Sequence, residues 1–188
     1  MENNAFQISE QERTFAIEHL TKTRDAFVNT IKELDERQWY LKPGPGHWST
    51  AECAEHLFLT EVYYFMPNIL KMQADGPNPD KIAEAAGKDE VAISSMENRS
   101  YKVIGAPWEE VAGRKIDKDP LIATFLEKRN EVISWLKQTK DPLRVLFFDC
   151  PGLGWVDAYQ FILYISAHTT RHTGQIADIL ELELHPNS

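Results

Sequence analysis

The chain is poor in the features that would assign it quickly. It holds only two cysteines, Cys53 and Cys150, among 188 residues. Neither stands in a CxxC pair or another metal-type spacing, so a disulfide scaffold and a cysteine-rich metal knuckle are both excluded. No stretch approaches the roughly 20 apolar residues that span a bilayer. The longest apolar cluster, "HLFLTEVYYFMPNIL", is interrupted by Glu61 and Pro67. Positive charge is scarce: 20 Lys and Arg face 29 Asp and Glu, a net charge of −9. That balance argues against nucleic acid or an anionic membrane surface as the main partner. The opening "MENNAFQISEQE" lacks a basic region followed by an apolar run, so no secretory signal is expected. A cytoplasmic protein with reduced thiols is the expectation.

What is present is helical. The length suits a single domain spanning 1–188 with a sizeable core. Ser9 and Glu12 have capping-box spacing, and Ile17, Leu20, Phe27, Ile31 and Leu34 follow at helical intervals. This first helix is expected to run from about residue 9 to 36 and to be over by "KPGPG", residues 42–46. Ser49 and Glu52 repeat the capping box at the start of a second helix, whose run from Leu57 to Met66 is apolar nearly all round and predicts deep burial. Pro67 should kink or fray it, and "ADGPNPD", residues 74–80, should end it.

Residues 75–118 are the least regular part, a crossover with a short helix expected at "DEVAISSMENR" and extended chain and turn at "KVIGAPWEE". So long a connection in a bundle often covers a site. Residues 119–139 form a third amphipathic helix, with Asp119 expected as N-cap and Pro120 at the first helical position. After a short extended segment and turn in "LRVLFFDCPGLGW", Asp157 is placed to cap the last helix. The fold class expected is all-α: an antiparallel four-helix bundle with a long crossover between the second and third helices.

The last helix carries the chemistry. Its apolar stripe reads Phe161, Ile165, His168, His172, Ile176, Ile179. Residues at i and i+4 are neighbours about 5–6 Å apart on one helix face, so two imidazoles there can converge on one ion. Of the remaining histidines, His56 stands out. It lies in the most apolar helix, beside Leu57, with Glu52 four residues before it on the same face. Three neutral histidines would leave an open position on a divalent ion, the pattern of a catalytic site. The alternative is that these are satisfied core histidines. Glu52 is either a simple helix cap or an assisting acid or base. Gln175 could orient a ligand or a metal-bound water, or simply be a polar side chain facing solvent. For Arg171 a surface ion pair is the default, and Cys53 is most simply a small core residue.

"WSTAECAEHL", residues 48–57, and "HTTRHTGQI", residues 168–176, together resemble the motifs of the DinB-like family of metalloenzymes, which includes the YfiT-like thiol S-transferases. The "KVIGAP" loop and the Gly-containing turn before the last helix are similar too. The resemblance implies a four-helix bundle whose helix order brings the second and fourth helices together. It implies a divalent metal, zinc or nickel, held by His56, His168 and His172. It also implies a small-molecule substrate, a homodimer and, in several members, a low-molecular-weight thiol such as bacillithiol or mycothiol as co-substrate. Two reactions are expected to suit such a centre. One is thiol S-transfer, with the sulfur stabilised as thiolate. The other is hydrolysis, in which the ion lowers the pKa of a bound water from 15.7 toward about 7 and Glu52 is the candidate catalytic base. A non-catalytic metal-binding protein of stress response is the alternative from another class.

Overall fold

A computed structural model describes residues 6–100 and 117–184. Four long helical rods make the bundle. The first, α1 (Glu10–Ile31), opens with the expected box, Ser9 and Glu12 capping each other's backbone amides. It stops earlier than the periodicity suggested. A separate short helix, α2 (Glu36–Trp39), follows, with its own capping box between Asp35 and Gln38. That box competes for the chain and turns it before the "KPGPG" segment is reached.

The second rod is continuous but irregular. Helix α3 (Thr50–Thr60), capped by Ser49 and Glu52, passes into a π-helical turn (Glu61–Phe65) and then into α4 (Met66–Asp75). Pro67 lies just after the π turn. Its missing N–H is a reason for the wider turn there, and the Asn68 side chain donates to the Tyr64 carbonyl at 2.7 Å. Gly76, at φ 79°, ends the rod. Burial is deep from Thr50 to Leu57, but beyond it Tyr63 and Leu70 face outward, so the expectation of burial through Met66 holds only for one face.

The crossover contains α5 (Ile82–Ala85) and α6 (Asp89–Glu97), the latter at the expected "DEVAISSMENR". "KVIGAPWEE", residues 102–110, lies outside the described residues. Helix α7 (Lys118–Gln138) begins from Asp117, not Asp119, and Asp117 makes no side-chain cap bond; Pro120 falls within the first turn rather than at its start. A two-stranded antiparallel hairpin, β1 (Phe147–Cys150) with β2 (Gly154–Asp157), fills the segment read as extended chain and turn. Asp157 then caps α8 (Ala158–Leu184) reciprocally with Gln160.

Helix α8 packs against α1, α3 and α6, while α7 packs against α1 and α3. The second and fourth rods are therefore neighbours, as the resemblance implied. No helix among the described residues is long and apolar enough to cross a membrane.

The core is divided into two apolar parts. One gathers Phe27, Ile31, Leu57, Phe125 and Ile176; the other gathers Leu20, Phe65, Val132, Leu136 and Phe161. Between them each rod contributes polar side chains: Thr23, Glu61, Arg129, and Ser166 with Thr169. Arg129 is 0% and Glu61 2% exposed. Their contact is bidentate, Nε to Oε1 at 2.7 Å and Nη2 to Oε2 at 2.8 Å. The same guanidinium donates to Thr23 Oγ1 at 3.2 Å, to the Leu20 carbonyl at 3.4 Å and to Thr169 Oγ1 at 2.9 Å. Arg129 escaped the sequence reading although it continues the Leu121–Phe125 stripe by one turn.

Removing one member of a buried pair strands the other charge and costs about 3–5 kcal/mol, whereas apolar replacement of both can be neutral. Arg129→Met should therefore lose about that much stability in urea unfolding, and Arg129→Met with Glu61→Leu should regain most of it. A double variant as unstable as the sum of the two singles would contradict the coupling.

Candidate metal centre

His56 comes from the buried stretch of α3, and His168 and His172 stand one turn apart on α8. The structure brings all three together, with one ring nitrogen from each within 4.8 Å of the others. His168 Nε2 lies 3.0 Å from His56 Nε2 and 3.1 Å from His172 Nε2. Trp48 closes one side. Its indole is 5.0 Å from the His56 ring and stacks at 5.9 Å on that of His172. The "Trp-Ser" start of the α3 motif thus has a physical role: Ser49 caps the helix and Trp48 lies against two of the imidazoles.

The cluster is kept uncharged. Burial lowers the pKa of His56 to about 4. Burial, and then the neighbouring imidazoles, hold His168 well below its ordinary value. For His172 burial and the His56 ring outweigh the opposing hydrogen bond from Gln175. Neutral imidazole is the form that donates a lone pair to a metal. His172 Nδ1 lies 3.0 Å from Gln175 Oε1. A carbonyl oxygen only accepts, so this nitrogen carries the proton and His172 Nε2 is a bare lone pair.

The donor set fits a divalent ion. One His168 nitrogen makes two short N···N contacts, and a single ring nitrogen cannot form two ordinary hydrogen bonds in opposite senses. A cation between the rings satisfies all three lone pairs. Nitrogens at 2.0–2.1 Å from a tetrahedral zinc stand about 3.3 Å apart, close to the spacing found.

The other candidates fall differently. Glu52 is held by its cap: the Ser49 amide donates to Oε2 at 2.6 Å and Lys42 lies 3.1 Å from the same oxygen. Burial raises its pKa, but the bonds from Ser49 and Lys42 outweigh it and the net shift is downward. Glu52 is outside the group of converging donors. Burial pushes the Cys53 thiol up to about 12, which suits a core residue and not a thiolate. Arg171 donates to the carbonyls of Met96 at 3.2 Å and Asn98 at 2.7 Å. Arg99 pairs with Asp178 and lies across Gly174, where a Cβ would meet its Nη1 at 2.9 Å. The end of α6 is thereby fastened to the helix that carries two of the histidines, and Gly174 makes room for it. His19 is not part of the cluster; its Nδ1 is 2.7 Å from Ser166 Oγ. His47 is exposed in the turn before α3.

The metal-free protein should lose stability in acid. In the folded state the three rings stay neutral, whereas the unfolded chain takes up protons below about pH 6.5, so stability is full above that pH and falls toward pH 4. His56 alone accounts for roughly 3 kcal/mol of this if its pKa moves from 6.5 to about 4. Urea unfolding of chelator-treated protein at pH 8, 6.5 and 5 measures it, with His56→Leu expected to flatten the slope. Equal stability at all three pH values would contradict neutral buried rings.

Comparison with known proteins agrees with this architecture. YfiT from Bacillus subtilis, described as a probable metal-dependent hydrolase with an unusual four-helix bundle topology, superposes with a TM-score of 0.62 at 12% identity, over 94% of this chain and 90% of that one. No curated protein matches the sequence. Residues 19–176 match the DinB superfamily, a span that takes in both histidine motifs and reaches into all four rods. The chain belongs to the DinB superfamily.

Proposed function

We propose that this protein is a metal-dependent hydrolase of small molecules whose divalent ion, zinc or nickel, is held by His56, His168 and His172. One observation carries the reading: three uncharged imidazoles from two helices converge, with His168 Nε2 3.0 Å from that of His56 and 3.1 Å from that of His172. The naming of YfiT as a probable metal-dependent hydrolase supports the choice of reaction. A divalent ion in such a set supplies Lewis acidity toward an oxygen or sulfur ligand at the position the protein leaves open.

The chain's own residues do the rest. The three imidazoles keep the donor set neutral, so the charge of an ion is undiminished. Trp48 lies against the His56 and His172 rings and limits the rotation of two donors that come from different helices. Glu52 is ionised at neutral pH through Ser49 and Lys42, the form a general base requires, and it stands one turn before His56.

Metal content tests the donor set. Native protein should carry stoichiometric zinc or nickel by elemental analysis, and His56→Ala should fall to substoichiometric content. Equal, substoichiometric metal in both would end the three-histidine reading. Turnover on a panel of esters and amides, lost on chelation and restored by zinc, is the expected activity. A parallel arm supplies an electrophile with a low-molecular-weight thiol. Turnover there alone would replace hydrolysis by thiol S-transfer, and metal binding without turnover in either arm would leave a non-catalytic metal-binding protein.

Glu52→Gln preserves a residue suited to the capping box. If the carboxylate is the base, this variant keeps its metal and loses turnover by about 10²–10⁴-fold. An unchanged rate would leave Glu52 as a helix cap alone.

A further inference from the structure

The three histidines are not held alike. Each points Nε2 inward, so each leaves Nδ1 to be satisfied elsewhere. His56 Nδ1 and His168 Nδ1 are buried and have no hydrogen-bond partner among the described residues. His172 Nδ1 has one, Gln175 Oε1 at 3.0 Å, from the next turn of α8. A free neutral imidazole exchanges between two tautomers, and only the one protonated at Nδ1 offers Nε2 to an ion. Gln175 is thus the single side chain, among the described residues, placed to choose the tautomer of any of the three.

We propose that Gln175 is a positioning residue: by accepting a hydrogen bond from Nδ1–H of His172 it fixes that ring with a bare Nε2 before an ion arrives. The proposal rests on the three-histidine reading for its consequence but not for its geometry. The short contact between His172 Nε2 and His168 Nε2 belongs to the same arrangement, because with His172 locked as acceptor any proton in that contact must come from His168. The consequence is an ordered site: His172 is the prearranged donor, and His56 and His168 complete the set around it. Outer partners of this kind contribute about 10–100-fold to metal affinity.

The amide can do the opposite if it turns over. Its NH₂ would then donate to Nδ1, leave the proton on Nε2 and block the donor. The side-chain chemistry therefore separates the variants. Gln175→Glu presents only acceptors and should keep the lock. Gln175→Met retains length and volume and removes the acceptor. Gln175→Asn keeps the amide but shortens the reach.

The test reads tautomers directly. Long-range proton–nitrogen correlation spectra of ¹⁵N-histidine-labelled, chelator-treated protein at pH 7.5 should show His172 in the Nδ1–H form alone. Gln175→Met should show a mixture and bind Zn²⁺ about 10–100-fold more weakly by chelator competition. Gln175→Glu should restore both. The unfolding midpoint of the chelated variants shows that each is folded, and Gln175→Asn replaces the methionine variant if that one is not. His172 protonated at Nε2 in the native protein would overturn the proposal. So would a variant without the acceptor that keeps native affinity. If native protein binds no Zn²⁺, the three-histidine reading fails, and the tautomer spectra still decide the role of Gln175: a single Nδ1–H form lost in Gln175→Met upholds it, and a mixture in native protein refutes it.

Discussion

The buried pair of Arg129 with Glu61 is the constraint on which the remainder is arranged. A guanidinium with no exposure needs its charge balanced and its donors satisfied, and nothing apolar can do either. Glu61 from the second rod balances it, and Thr23 and Leu20 of α1 and Thr169 of α8 take further N–H groups. All four rods are thereby tied at one level. A slip of any helix by one turn would strand a charge, whereas apolar contacts above and below would tolerate it far better. His168 adjoins Thr169, and His56 lies five residues before Glu61 on the same rod. The register set by the pair is the register in which the three imidazoles meet.

The histidines extend this polar layer toward one side of the bundle. Their environment does two things at once. It strips solvent from the rings, so they remain neutral near physiological pH, and it brings Nε2 of His56 and of His172 each to about 3 Å from Nε2 of His168. The apolar parts of the core on either side give the layer its rigidity. The π turn after α3 and the fastening of α6 to α8 through Arg99 and Arg171 are local departures from regular helix packing, and both occur next to this layer. Such departures often cluster where a fold positions chemistry.

Much of this was legible along the chain because it depends on short-range patterns. Capping boxes at Ser9 and Ser49 announced two helix starts, and the Phe161–Ile179 stripe placed His168 and His172 on one inward face. Boundaries governed by competing local signals were less legible. Asp35 and Gln38 form a cap that ends the first helical run early, and α7 begins from Asp117 although Asp119 precedes the proline. Burial of the second rod was overestimated because composition alone does not say which side of an apolar helix meets a neighbour, and Tyr63 and Leu70 face solvent.

The sequence by itself determined the helical class, the number of long rods and the two motifs that hold the histidines, since each follows from spacing within a single helix. The meeting of His56 with a pair more than a hundred residues downstream was decided by tertiary structure, because it depends on which rods become neighbours. So was the role of Arg129, a charge that reads as surface until three other helices surround it. The state of the imidazoles belongs there as well: their neutrality arises from burial, and the assignment of a proton to His172 Nδ1 from a 3.0 Å contact with Gln175 that spacing permits and only packing makes.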